Sequence, residues 1–137
     1  SDVYKRQIVA ILAGISMAFF GNLADRARRA DGKATLKEVA LLQEKYRADN
    51  IQFATNLTAA PPAGLGYDGG ETGCATCSRE GHYTIGITAG DGNTDADEYL
   101  ITATPRNWTD SRCGTLTLDQ DGPVETTTQI ANNCWRR

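Results

Sequence analysis

Residues 8–20 read IVAILAGISMAFF, an unbroken apolar run, and no proline interrupts the chain before Pro61. The run is thirteen residues long, so as a helix it rises only about 20 Å, short of the roughly 30 Å hydrocarbon core of a bilayer. A helix that is apolar on every face is stable in lipid or among other helices, not alone in water. An amphipathic stretch follows without a break. The run is therefore read as the surviving part of a longer apolar segment, and not as an ordinary core helix.

In the continuation, Leu23, Ala27, Ala30 and Ala34 fall at three- and four-residue steps. Leu36, Val39, Ala40, Gln43 and Tyr46 extend a largely apolar stripe, and charged residues fill the other faces. One long helix is predicted over 8–53. Its first part, 8–20, needs lipid or sibling helices, and its amphipathic part, 21–53, needs one packing surface.

Composition then changes abruptly. Residues 54–81 hold Pro61-Pro62, six glycines and the pair Cys74-x-x-Cys77, which suits a connector. Four strands are predicted after it. His82–Thr88 places Tyr83, Ile85 and Ile87 on one face. Glu98–Thr104 sets Tyr99, Ile101 and Ala103 against Leu100 and Thr102. Gly114–Leu118 aligns Leu116 with Leu118, Asp121-Gly122 marks a tight turn, and the fourth strand spans roughly Val124–Ile130. Short links between successive strands imply an antiparallel meander lying on the helix. The fold expected is α+β: a long N-terminal α-helix packed on a four-stranded antiparallel β-sheet. Repeat architectures are excluded, because no period of that kind recurs.

The four cysteines, Cys74, Cys77, Cys113 and Cys134, point to disulfides and an oxidising compartment. Three pairings exist, and sequence neighbourhood favours Cys74–Cys77 with Cys113–Cys134. The second closes a loop worth roughly 3 kcal/mol through restriction of the unfolded chain. The first rigidifies a turn. As a redox motif, Cys74-Ala75-Thr76-Cys77 lacks the flanking pattern of a thiol oxidoreductase.

The net charge of −3 sets up no global field for nucleic acid or an anionic membrane, so a charge-driven partner requires a local patch. One such patch is Arg106, Trp108, Arg112, Trp135, Arg136 and Arg137, where cations and aromatics suit phosphates and bases. The alternative is a solvated loop edge with a tryptophan capping the core. Asp91, Asn93, Asp95, Asp97 and Glu98 are spaced like the start of a calcium loop. Thr102 stands where the closing glutamate belongs, so a solvated hairpin turn is preferred. The single histidine, His82, has no nucleophile with a partner base, and no enzyme or cofactor is expected. Asn107-Trp108-Thr109 fits a glycosylation acceptor pattern that carries little weight here.

Taken in order, IVAILAGIS, ARRADGKATLKEVALLQEKYRADN, GHYTIGIT, EYLITATP, CGTLTLDQDG and the final CW resemble the type IV pilins, in particular PilE-like minor pilins. The resemblance covers about residues 8–137. It implies a long helix, an αβ loop, a four-stranded sheet and a C-terminal loop closed by Cys113 and Cys134. It also implies a subunit held in the bacterial inner membrane, processed and methylated by a prepilin peptidase, and passed by the assembly machinery into an extracellular filament with other pilins. Ile8, Val9, Ile11, Leu12, Ile15, Met17, Phe19 and Phe20 then form the membrane and assembly surface. Adhesion, twitching motility and DNA uptake are the surface roles implied, DNA binding falling to Arg106, Trp108, Arg112, Arg136 and Arg137. A secretion pseudopilin with calcium in the 91–98 loop is the alternative. Residues 1–7, SDVYKRQ, stand where the family has apolar residues and are read as foreign to it.

Overall fold

The computed structural model describes residues 2–70, 73–89 and 97–136, with side chains from 23 onward other than 89. The first element is the helix α1, Asp2–Asn50, forty-nine residues long. It is followed by β1 (Tyr83–Ala89), β2 (Tyr99–Pro105), β3 (Leu116–Asp119), β4 (Gly122–Val124) and a short helix α2 (Thr127–Ala131). Among the described residues, no helix is long and apolar enough to cross a membrane.

The strands form one antiparallel sheet in the order β1-β2-β3-β4. Ile85 faces Ala103, and Ile101 faces Leu118 across the ladder. The inward positions Tyr83, Ile85, Tyr99, Ile101, Ala103, Leu116 and Leu118 are buried, as the alternation predicts. They meet Leu36 and Val39 of α1, with Phe53, Leu57, Leu65 and Tyr67 of the connector closing the sides.

The later part of the predicted stripe, Leu36, Val39 and Gln43, is buried as expected, but the alanine spacing that leads into it points to a different face. Asp31, Gly32, Thr35, Leu36, Val39 and Gln43 are buried, whereas Leu23, Ala27, Ala30 and Ala34 are exposed. Small alanines offer little area to a sheet, and the packing instead exploits Gly32. A Cβ at this position would lie 2.7 Å from Tyr83 Cε2, so the phenol ring rests on bare helix backbone. Beside it, the Asp31 carboxylate accepts hydrogen bonds from the Ser78 hydroxyl and from the N–H groups of Glu80 (3.0 Å) and His82 (3.3 Å). These bonds draw the turn before β1 onto the helix. Gln43, polar within a core face, is satisfied by exchanging two 2.8 Å bonds with the backbone of Ala54.

The helix stops at Asn50, three residues before the predicted end. Ile51 takes φ 69°, and its N–H reaches the Arg47 carbonyl at 3.0 Å. This is the left-handed stop usually made by glycine. A β-branched residue is strained there, and Ile51 is 89% exposed, so no packing compensates.

In the connector, the Cys74–Cys77 disulfide (Cα–Cα 5.5 Å) sets a turn against the outer edge of β1. Ile85 N–H donates to Thr76 O at 2.7 Å, and Ser78 N–H donates to Tyr83 O at 2.8 Å. The Cys113–Cys134 pair (Cα–Cα 5.7 Å) closes the C-terminal loop. Both pairings match the sequence reading.

The C-terminal segment corrects it. Residues 124–130 are not a fourth strand: β4 ends at Val124, and Thr127–Ala131 is helical. Thr126 and Gln129 form a reciprocal capping box, which closes a helical turn before any further strand pairing. Gln129 then donates to Cys113 O (2.6 Å) and Thr115 O (2.8 Å), fastening α2 to the approach to β3. The tight turn lies one residue earlier than predicted, at Gln120-Asp121, since Asp119 pairs with Gly122.

Two substitutions separate local propensity from packing. Gly32→Ala gains roughly 1 kcal/mol of helix propensity but drives a methyl into Tyr83, for a net loss of about 1–2 kcal/mol. Ile51→Gly relieves left-handed strain and stabilises by about 1 kcal/mol. Urea unfolding midpoints check both signs.

Candidate nucleic-acid interface

The loop that leaves β2 lies across α1, and one ion pair holds it there. Arg29 donates through Nε (2.7 Å) and a terminal nitrogen (2.8 Å) to the two oxygens of Asp110. Asp110 is buried and also accepts the N–H groups of Arg112 and Cys113, both at 3.1 Å. Burial alone would raise its pKa, but these bonds and the Arg29 charge outweigh it and hold the carboxyl below its ordinary range. Asp110 in turn raises the Arg29 guanidinium.

Around this pair the predicted patch divides. Arg106 and Trp108 gather at the turn before β1. Trp108 Nε1 donates to His82 O at 2.9 Å, and Arg106 donates to Gly81 O at 3.4 Å through its guanidinium and to His82 O at 2.8 Å through its backbone N–H. Trp108 is half-buried and meets Tyr83 edge-on at 5.7 Å, while the Arg28 guanidinium sits 5.3 Å from its ring centre. Part of the tryptophan is thus already committed to the fold, and its remaining edge lies near Arg106 and Arg28.

Arg112 lies elsewhere, across a cavity from Arg26, Arg29 and Lys33. Arg136 is exposed, Trp135 is half-buried against the core, and Arg137 lies outside the described residues. The helix cations Arg26, Arg28, Arg29 and Lys33 are absent from the sequence-based patch. Their signal was legible: positions 26, 29 and 33 fall at three- and four-residue steps, one flank of a helix.

The remaining candidates separate in the same way. Asp91, Asn93 and Asp95 lie outside the described residues. Asp97 is exposed, 3.5 Å from Arg47. Among the described residues, no cluster of three or more His, Cys, Asp or Glu side chains is placed to hold a metal ion. All four cysteines are in disulfides, and Cys77 is fully buried with its carbonyl accepting from the Tyr67 hydroxyl at 2.6 Å. Ile8–Phe20 lies on the α1 backbone, and its side chains lie outside those described.

The Arg29–Asp110 pair makes a pH-dependent contribution of known sign. The Asp110 pKa is depressed on folding, so its stabilisation is present above the unfolded carboxyl value and is lost as pH falls through the folded one. Asp110→Asn is expected to cost about 3 kcal/mol at neutral pH, because Arg29 is left without its partner. The gap between variant and parent narrows as pH drops below about 4, as urea unfolding across that range will show.

Comparison with known proteins agrees with this architecture. No curated protein matches the sequence. A solved structure, a type IV pilin from Shewanella oneidensis, aligns with a TM-score of 0.51 at 24% identity, over 81% of this chain and 97% of that one. This likeness establishes a shared fold. The family model described as "Type IV minor pilin ComP, DNA uptake sequence receptor" matches residues 20–117, from the end of the apolar run to the start of β3. That span is well over half of the chain and includes both the amphipathic part of α1 and the loop from Arg106 to Cys113. The chain belongs to the type IV minor pilin family.

Proposed function

We propose that this minor pilin works as a DNA receptor within a pilus, built into the filament through its N-terminal helix. The family consists of structural subunits that assemble with other pilins. Before assembly, the apolar segment Ile8–Phe20 holds the subunit in the bacterial inner membrane, from which the assembly machinery extracts it after prepilin peptidase has acted. In the filament, neighbouring helices replace lipid around Ile8, Val9, Ile11, Leu12, Ile15, Met17, Phe19 and Phe20. Each large aliphatic side chain so buried contributes about 1.5–3 kcal/mol before ordering costs.

The observation that carries the receptor reading is where the family match falls. It includes Arg106, Trp108 and Arg112, on a loop held against α1 by a buried ion pair. A pinned loop offers its guanidinium groups with little ordering cost. Arg106, with Arg28 and the open edge of Trp108 beside it at the turn by His82, contacts one stretch of phosphate, and Arg112, on the other side of the loop, contacts another. Phosphate contacts of this kind position DNA, and base contacts specify it.

Counting released counterions tests the assignment. Arg106→Gln combined with Arg112→Gln weakens retention of double-stranded DNA and lowers the slope of log affinity against log salt by about two. Equal affinity and slope in parent and double variant would exclude these residues as DNA contacts. Circular dichroism of the variant confirms that the fold is kept.

A further inference from the structure

On one flank of α1, Arg26, Arg29 and Lys33 line a cavity of about 140 Å³ whose other wall is Arg112 and residues 132–134. No acidic residue lines it. Arg29 has its charge answered by Asp110. Among the described residues, no carboxylate pairs with Arg26, Lys33 or Arg112. Three cations therefore border one small space without a counter-charge. Burial, with Lys37 and Arg29 close by, pushes the Lys33 ammonium below its ordinary pKa, and an anion in the cavity relieves that repulsion. The opposite wall is stiff: Asn132 Nδ2 donates to Arg112 O at 2.8 Å, beside the Cys113–Cys134 disulfide.

The unanswered cations indicate which anion. A phosphomonoester carries about 1.5 to 2 negative charges at neutral pH and three acceptor oxygens. An internal phosphate of DNA carries a single charge, and its chain leaves on both sides. Arg26, Lys33 and Arg112 match the monoester in charge and in donors. A walled cavity also admits a group tethered at one point more readily than a strand that must pass through it. A 5′ phosphate stands off its sugar on C5′, whereas a 3′ phosphate is bonded to the ring itself, so the former reaches further into a recess. Arg112 follows Arg106 by six residues, at most about 21 Å of chain, the rise of about six base pairs. One duplex can thus touch the Trp108 surface along its side and this cavity with its end.

We infer that this cavity seats the 5′-terminal phosphate of a DNA strand, so that the subunit grips a duplex by its end as well as by its flank. The inference rests on the receptor reading above. The groups that face the phosphate are Arg26, Arg29 and Lys33 from α1 and Arg112 from the loop, with Asp110 behind Arg29. Asp110, held below the ordinary carboxyl range, stays ionised in mild acid. The proton taken up by the phosphomonoester near pH 6 therefore sets the pH dependence of end binding.

The full chain in detergent micelles is titrated with fluorescent duplexes of one sequence that end in a 5′ phosphate or a 5′ hydroxyl, and binding is read by anisotropy. At about pH 7 the parent prefers the phosphate end about tenfold, the value of one charge-assisted contact. The ratio shrinks as pH falls to about 5, while the hydroxyl-ended duplex records every other effect of pH. Arg26→Gln/Lys33→Gln brings the ratio close to one, and Lys33→Arg retains it. Equal binding of the two duplexes overturns the end site and leaves the receptor reading standing, whereas failure to bind either overturns both. A ratio that survives Arg26→Gln/Lys33→Gln places the end elsewhere and overturns the assignment. A ratio indifferent to pH overturns the monoester reading. If inorganic phosphate at the same concentration as the duplex abolishes the ratio, the ligand is free phosphate and the DNA-end assignment falls.

Discussion

The carboxylate of Asp31 and the bare Cα of Gly32 occupy adjacent positions on α1, and together they fix where β1 meets the helix. Asp31 gathers three donors from the turn before the strand, and Gly32 lets the Tyr83 ring sit against helix backbone. The meander carries that placement outward to β4, and the Arg29–Asp110 pair repeats the attachment from the far end of β2. The globular half is thus held to one stretch of helix by two buried carboxylates. On the function proposed above, the preceding residues of α1 are left to lipid and then to other subunits, a division of one helix that suits a filament subunit.

Much of this plan was legible in the residues, because it follows from periodicity. The break between a proline-free half and a Gly- and Thr-rich half, the inward faces of the first three strands and both disulfides all have local signatures. Four features were read otherwise. Ile51 ends the helix without a glycine, so the stop at Asn50 has no composition cue. The alanine stripe looks like a packing face, but larger side chains at 36 and 39 and the opening at Gly32 win the contact with the sheet. The Thr126-x-x-Gln129 pattern is a readable capping signal, yet the threonine-rich run around it also favours strand. The helix cations were read only as a solvated face: their spacing on one flank is legible, but only the folded chain brings them beside Arg112.

The separation of the cationic residues into two groups gives the subunit two surfaces of different character. The turn at Gly81-His82 supports guanidinium groups around a partly buried indole, an open arrangement suited to an extended polyanion. The flank of α1 supports a small enclosed site with amide and main-chain groups on one side. The Asp110 carboxylate underlies both, since the loop it anchors carries Trp108 in one direction and Arg112 in the other. A change at Asp110 therefore acts on both surfaces at once.

The bridge between Cys74 and Cys77 has a meaning beyond stiffness. Its turn supplies Thr76 O and Ser78 N–H to the free side of β1, while the opposite border of the sheet is the three-residue β4 with Pro123 at its centre. Neither flank presents a long, unoccupied row of amide and carbonyl groups. Both borders of the sheet are thereby guarded against strand-by-strand stacking into amyloid.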